Sequence, residues 1–248
     1  MRNMILAGLF ALLLPVVIAA EENNEPAAQQ FAEYDQKLTG DSTKELIELK
    51  GKRLAPDSDY YAEIWVSVSN KDGQEWKIPY EGGYEPELEF YDLNHDGVND
   101  LFYQSAAGGS GDLYHYHLHT LKNDRLEEIS LPKQEFIKAN FKDNFKVKIQ
   151  IDYEQEPSIV DVKDRSSEYV ELGIYDENGR VTENTSPMIA PISFFEPVEI
   201  SEDKGYGLRS RQHVSGAYQA DQLGTVETLW YYEKGEWIIL KTEWVPSE

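Results

Sequence analysis

The chain has 248 residues, 46 Asp and Glu against 23 Lys and Arg, a formal net charge of −23, and no Cys. That charge excludes nucleic acid and anionic membranes as partners, because both are bound by Lys and Arg that displace counterions. The missing Cys excludes disulfides and a cysteine-linked lipid, so a sizeable core or a bound metal has to stabilise the body.

The N-terminus carries Arg2, an uncharged apolar run from Met4 to Ala20, the small residues Ala19 and Ala20, and then Glu21 and Glu22. This is the three-part pattern of a cleavable signal peptide over residues 1–20. The run is marginal for spanning a bilayer and Pro15 interrupts it; an uncleaved anchor is the alternative. The expected location is secreted or cell-envelope associated, with no membrane contact after cleavage. Residues 21–36 form a polar arm, and a short helix is expected from about Ala27 to Lys37.

From residue 37 to 248 the dominant signal is strand, in one all-β, mainly antiparallel domain. Apolar residues alternate at Ile64, Val66 and Val68, at Leu88 and Phe90, and at Val147, Ile149 and Ile151. Sixteen Tyr and five Trp suit half-buried pleated surfaces. Asp72-Gly73, Asn123-Asp124, Asn178-Gly179 and Lys234-Gly235 each follow an expected strand, at a near-constant period, and are hairpin candidates. The strand expected before the third of them is Tyr169–Tyr175. The period divides the domain into four units, 37–85, 86–140, 141–195 and 196–248. Four such units close a small propeller or form an open pair of packed sheets.

A second marker recurs in step with the hairpins. Its clearest copy is Asp92-Leu93-Asn94-His95-Asp96-Gly97-Val98-Asn99-Asp100-Leu101, and Lys37–Leu46 and Glu199–Leu208 align with it. Side-chain oxygens of Asp92, Asn94, Asp96 and Asp100, with the Val98 backbone carbonyl, supply the ligand pattern of calcium, and Gly97 allows the sharp turn. The other reading is a solvated turn, since Asp, Asn and Gly favour turns anyway. Tyr103 stands where an EF-hand has its bidentate Glu, and the flanks read as strands. Without that Glu the affinity expected is weak, on the order of 10⁻⁴–10⁻³ M.

Strand, Asp-x-Asn-x-Asp-Gly-x-x-Asp-Leu, strand, Gly-rich turn and hairpin together resemble the FG-GAP/VCBS repeat, most closely over Pro86–Leu131. The resemblance implies propeller-like blades, calcium between the first two strands, and extracellular adhesion or ligand binding. The chain also resembles a group of uncharacterised secreted bacilli proteins that carry one such repeat. Lys37 and Ser42 in the first loop, and Lys204 and Gly207 in the last, depart from the pattern, so a single site is expected at 92–100.

Three further features carry weaker chemistry. Gly108, Gly109, Ser110 and Gly111 follow the second strand of the loop and form a candidate ligand-contacting loop beside the cation. His115, His117 and His119 share one strand face; His115 and His117 have the spacing of a second metal site, and a half-exposed face is the alternative reading. No catalytic residue stands out, since five His among 46 acids allow a triad such as Ser110, Ser215 and His213 to be drawn anywhere. The function expected is a non-enzymatic, calcium-stabilised binding or structural module, monomeric, with an extracellular protein or carbohydrate ligand. A secreted hydrolase, or an accessory domain of one, is the alternative.

Overall fold

A computed structural model describes residues 27–109, 113–134, 136–182 and 185–247. It is all-β apart from one short α-helix and two 3-10 turns. The expected signal peptide lies outside the described residues.

Four antiparallel sheets follow one another along the chain. The first is a meander of β1 (Gln29–Gln36), β2 (Glu45–Arg53), β3 (Tyr61–Ser69) and β4 (Glu75–Tyr80). The second comprises β5 (Tyr84–Tyr91), β6 (Asp100–Ala106), β7 (Tyr114–Thr120) and the two-residue β8 (Glu127–Glu128). The third has β9 (Lys138–Lys142), β10 (Lys146–Gln150) and β11 (Ser158–Asp161), followed by α1 (Ser166–Glu171). The fourth is built from the long strands β12 (Met188–Ser201), β13 (Gly205–Ser215), β14 (Gln222–Glu233) and β15 (Glu236–Pro246).

Two expected elements are corrected. The helix over Ala27–Lys37 is instead strand β1. A bulge between Gln30 and Ala32 brings Phe31 and Tyr34, three residues apart, onto one core, a spacing that mimics a helical stripe. The strand expected over Tyr169–Tyr175 begins inside α1, and only Tyr175 bridges, to Val181. Tyr169 is fully buried there, and its hydroxyl donates to the buried Asp221, which also accepts Arg165 Nη1 at 2.5 Å. These tertiary partners override the β preference of the tyrosines.

Strand β6 organises the core. Leu101, Phe102 and Tyr103 are all fully buried, because both faces of the strand are covered. Leu101 and Tyr103 pack against Ile47, Val66, Ile78 and Tyr80 of the first sheet. Phe102, on the opposite face, packs with Phe195, Leu208 and Trp230 of the fourth. Further along β13 and β14, Val214 and Val226 meet Val147, Ile149 and Tyr169 of the third sheet and α1. Buried cores therefore join the sheets in the order first, second, fourth, third. The stack is open: the fourth sheet lies between the second and the third, and among the described residues no buried core joins the third or fourth sheet to the first to close a ring.

Candidate metal centre

Residues 92–99 connect β5 to β6, two strands that pair directly from Tyr91↔Asp100 onward. The short connection bends twice through left-handed backbone, at His95 (φ 59°) and Gly97 (φ 88°). Gly97 suits that conformation; for His95 it is costly, and the surrounding hydrogen bonds hold it. Asp92 accepts the Asp96 N–H on Oδ1 and the Gly97 N–H on Oδ2, each at 3.0 Å. Asn94 Oδ1 accepts the Asp96 N–H at 2.9 Å, and Asp96 Oδ1 accepts the Val98 N–H at 3.0 Å. The side-chain oxygens that form the ligand pattern thus also fold the loop.

Asp100 ties the loop shut. Its carboxylate is fully buried, and Oδ2 accepts the Leu93 and Asn94 N–H groups at 2.9 and 3.1 Å. Oδ1 accepts Asn94 Nδ2 at 2.9 Å. Burial pushes its carboxyl up to about 7, and Asp96 and Asp92 push the same way, against the two backbone donors. The cation near these groups is Lys122, from the 3-10 turn after β7. Its ammonium donates to the Asp96 carbonyl and stands 3.7 Å from Asp96 Oδ1. Sequence spacing did not mark Lys122, which arrives from a different hairpin.

The oxygen-only donor set fits a hard cation, because a carboxylate oxygen that accepts one N–H keeps a lone pair for a metal. Among the described residues, however, no three His, Cys, Asp or Glu side chains are already grouped to hold a metal ion. As folded, the loop is drawn onto its own amides and onto Lys122. Val98 is buried against the neighbouring loop, where a Cβ on Gly40 would stand 3.2 Å from it.

The two loops aligned with this one lie beside it. In the first, Glu45 is fully buried, and its Oε2 accepts the Leu38 N–H at 2.8 Å, the counterpart of Asp100 and Leu93. The Asn123 N–H donates to the Thr39 carbonyl at 2.8 Å and joins that loop to the Lys122 turn. On the other side, the turn before β13 approaches His95, whose ring stacks on Tyr231 at 4.3 Å with Lys204 over the far partner. Neither aligned loop keeps the full set of acids.

The remaining candidates fall elsewhere. Gly108 and Gly109 turn through left-handed backbone after Ala106, while Ser110 and Gly111 lie outside the described residues. This turn is not beside the cation loop: Asp100 and Ala106 are the two ends of β6, about 20 Å apart by the rise of an extended strand. The histidine face is graded: His115 and His117 are half-buried and His119 is buried. It packs under the first sheet, with His119 buried at 8 % and near Tyr80. His117 Nδ1 lies 3.0 Å from Glu128 Oε1 and Nε2 lies 2.7 Å from Glu81 Oε2. Each ring nitrogen of His117 thus faces a carboxylate of its own. Two other groups escaped the sequence reading: the Arg165–Asp221–Tyr169 cluster, whose partners lie more than fifty residues apart, and a cleft between the second and fourth sheets.

Residues 135–245 match the sequence model of the YybI C-terminal domain. That span covers the third and fourth sheets and leaves out the 92–100 loop. The chain is also similar to the Uncharacterized protein YybI of Bacillus subtilis strain 168, at 26 % identity over 201 residues, which span 77 % of this chain and 75 % of that protein. No solved structure matches the chain.

Proposed function

We propose that this is an exported, calcium-binding β protein, a non-enzymatic binding or structural module of the cell envelope or the extracellular space, with residues 92–100 as its cation loop. The observation that carries this reading is the crowding of Asp92, Asp96 and the buried Asp100 in one connection, with the Lys122 ammonium at its rim. A divalent cation relieves that repulsion where one lysine relieves it in part. The resemblance of Pro86–Leu131 to the FG-GAP/VCBS repeat supports the same choice, and the pattern of residues 1–20 supports export. Calcium would be held by Asp92, Asn94, Asp96 and Asp100 with the Val98 carbonyl, and would fasten the β5–β6 connection. Lys122 competes for Asp96, which keeps the affinity low.

The test is thermal unfolding in calcium and in chelator, for the wild type, Asp96→Ala and Lys122→Met. Calcium raises the wild-type midpoint, as any ligand of the folded state does; Asp96→Ala loses the response. Lys122→Met is less stable in chelator and responds at lower calcium than the wild type. A wild-type midpoint unmoved at about 10 mM calcium, an order of magnitude above the weak-site range, means that Lys122 is the loop's own counterion and that no metal is needed.

A further inference from the structure

The fourth sheet ends in two unlike edges. At one, β12 carries Pro191 and Pro197 and slips register three times. Prolines and bulges blunt an edge against pairing with another chain. At the other, β15 runs for 11 residues and meets proline only at its last, Pro246. Among the described residues β15 pairs with β14 alone, so its outer row of N–H and C=O groups faces no strand. Three consecutive apolar residues of β15, Ile238, Ile239 and Leu240, are exposed, Ile239 at 50 %, and Val245 is exposed as well.

Leu240 is a bulge: Lys241 pairs with Leu229 and Ile239 with Trp230, and Leu240 is passed over. Beyond it the ladder is regular, with Lys241–Pro246 paired to Gly224–Leu229 without a break. Thr242 is buried, its hydroxyl 3.4 Å from that of Thr228. Its neighbours Lys241 and Glu243 therefore lie on the opposite, solvent face, where they bridge each other at 2.6 Å.

This stretch is complementary to itself. Two copies of one strand, paired antiparallel, are related by a two-fold axis. Backbone groups of alternate residues point to the same side, so facing residues are an even number apart and the axis passes through a residue. An axis on Lys241 or on Glu243 sets like charges against each other. Within β15, only an axis on Thr242 sets Lys241 of each copy opposite Glu243 of the other. A net charge of −23 opposes self-association in general, and this register offsets it locally.

We propose that β15 is an interface between two copies of this chain, joined edge to edge about Thr242 into one continuous sheet. The pairing brings the exposed Ile239 and Leu240 of one copy beside Trp244 and Val245 of the other. It makes the protein a dimer rather than the monomer expected from sequence, and it does not rest on the 92–100 loop. A single strand edge covers less than the roughly 1,200 Å² of a standard interface, so the dimer is weak and reversible.

Sedimentation equilibrium of the full chain from about 10 µM to about 1 mM, the range of weak association, reads the mass. The wild type is expected to pass from monomer to dimer over that range. Lys241→Glu and Glu243→Lys are each expected to raise the dimer Kd about tenfold, since two like-charge contacts replace two unlike ones. They do so although they move the net charge in opposite directions. The double variant Lys241→Glu/Glu243→Lys swaps the charges, keeps the register and restores the dimer. Both positions are exposed, so the variants fold. A wild type that stays monomeric at the highest concentration overturns the proposal, and the bulge and the two charges are then guards of an open edge. Association that neither single variant weakens, or that the double variant does not restore, overturns it too and places the contact in another register or on another surface.

Discussion

His119 lies two residues beyond His117 on β7, buried at 8 %, with Nδ1 unpartnered among the described residues. Burial lowers its pKa to about 4, the His117 charge acts the same way, and Glu128 opposes both. The folded protein thus holds His119 neutral in a range where the unfolded chain, with an ordinary value near 6.5, takes up a proton. Between about pH 6.5 and 4 the unfolded state binds more protons, so this residue makes stability rise with pH and fall on acidification. Urea midpoints at pH 7, 5.5 and 4.5 should drop in the wild type and drop less in His119→Phe. The difference is at most about 3 kcal/mol, the full shift converted at 1.36 kcal/mol per unit. Equal drops in both proteins would mean that the imidazole protonates without leaving its place. Comparison with the variant matters because Asp100, pushed up to about 7, acts with the opposite sign.

Among the elements, the aligned loops before β2 and β6 share one fastening: an acid at the start of the second strand accepts the backbone N–H of a buried leucine seven residues earlier. Glu45 does this for Leu38, and Asp100 for Leu93. In the first loop Lys37 and Ser42 have removed the metal pattern, yet the acid remains buried, so its role there is structural. Glu45→Ala should destabilise the protein by about 1–3 kcal/mol, the cost of leaving a buried N–H without an acceptor, and chemical denaturation measures it. The loss is expected to be independent of calcium, whereas Asp96→Ala, beside the cost of its lost loop bonds, removes the part of the stability that calcium adds. A calcium-dependent loss in Glu45→Ala would assign a metal to the first loop as well.

For the molecule as a whole, the fourth sheet shares its inner face between two neighbours. Phe195, Leu208 and Trp230 serve the second sheet, and Val214, Leu223 and Val226 serve the third sheet and α1. The region that matches the YybI C-terminal domain therefore contains one complete core and half of another. A fragment of residues 135–247 should keep the contacts of the third sheet but expose Phe195, Leu208 and Trp230, and so bind a hydrophobic dye that the full chain does not. A fragment that unfolds with the same midpoint as the full chain and binds no dye would make the sheets independent of one another.

The sequence by itself determined the all-β class and the tips of the hairpins. Strand alternation and turn residues act over a few positions, and Gly73, Asn123, Gly179 and Gly235 all adopt the left-handed backbone that their turns need. It also carried the 92–100 loop, because the side chains that fold it lie within nine residues. Only the tertiary structure decided the rest. A bulge made β1 look helical, and buried partners drew Tyr169 into α1. Lys122 and the carboxylates on either side of His117 took their places through contacts between hairpins far apart in the chain. Local periodicity records which face a residue takes, but the identity of what lies against that face is set by how the sheets stack, and that stacking is open rather than closed into a ring.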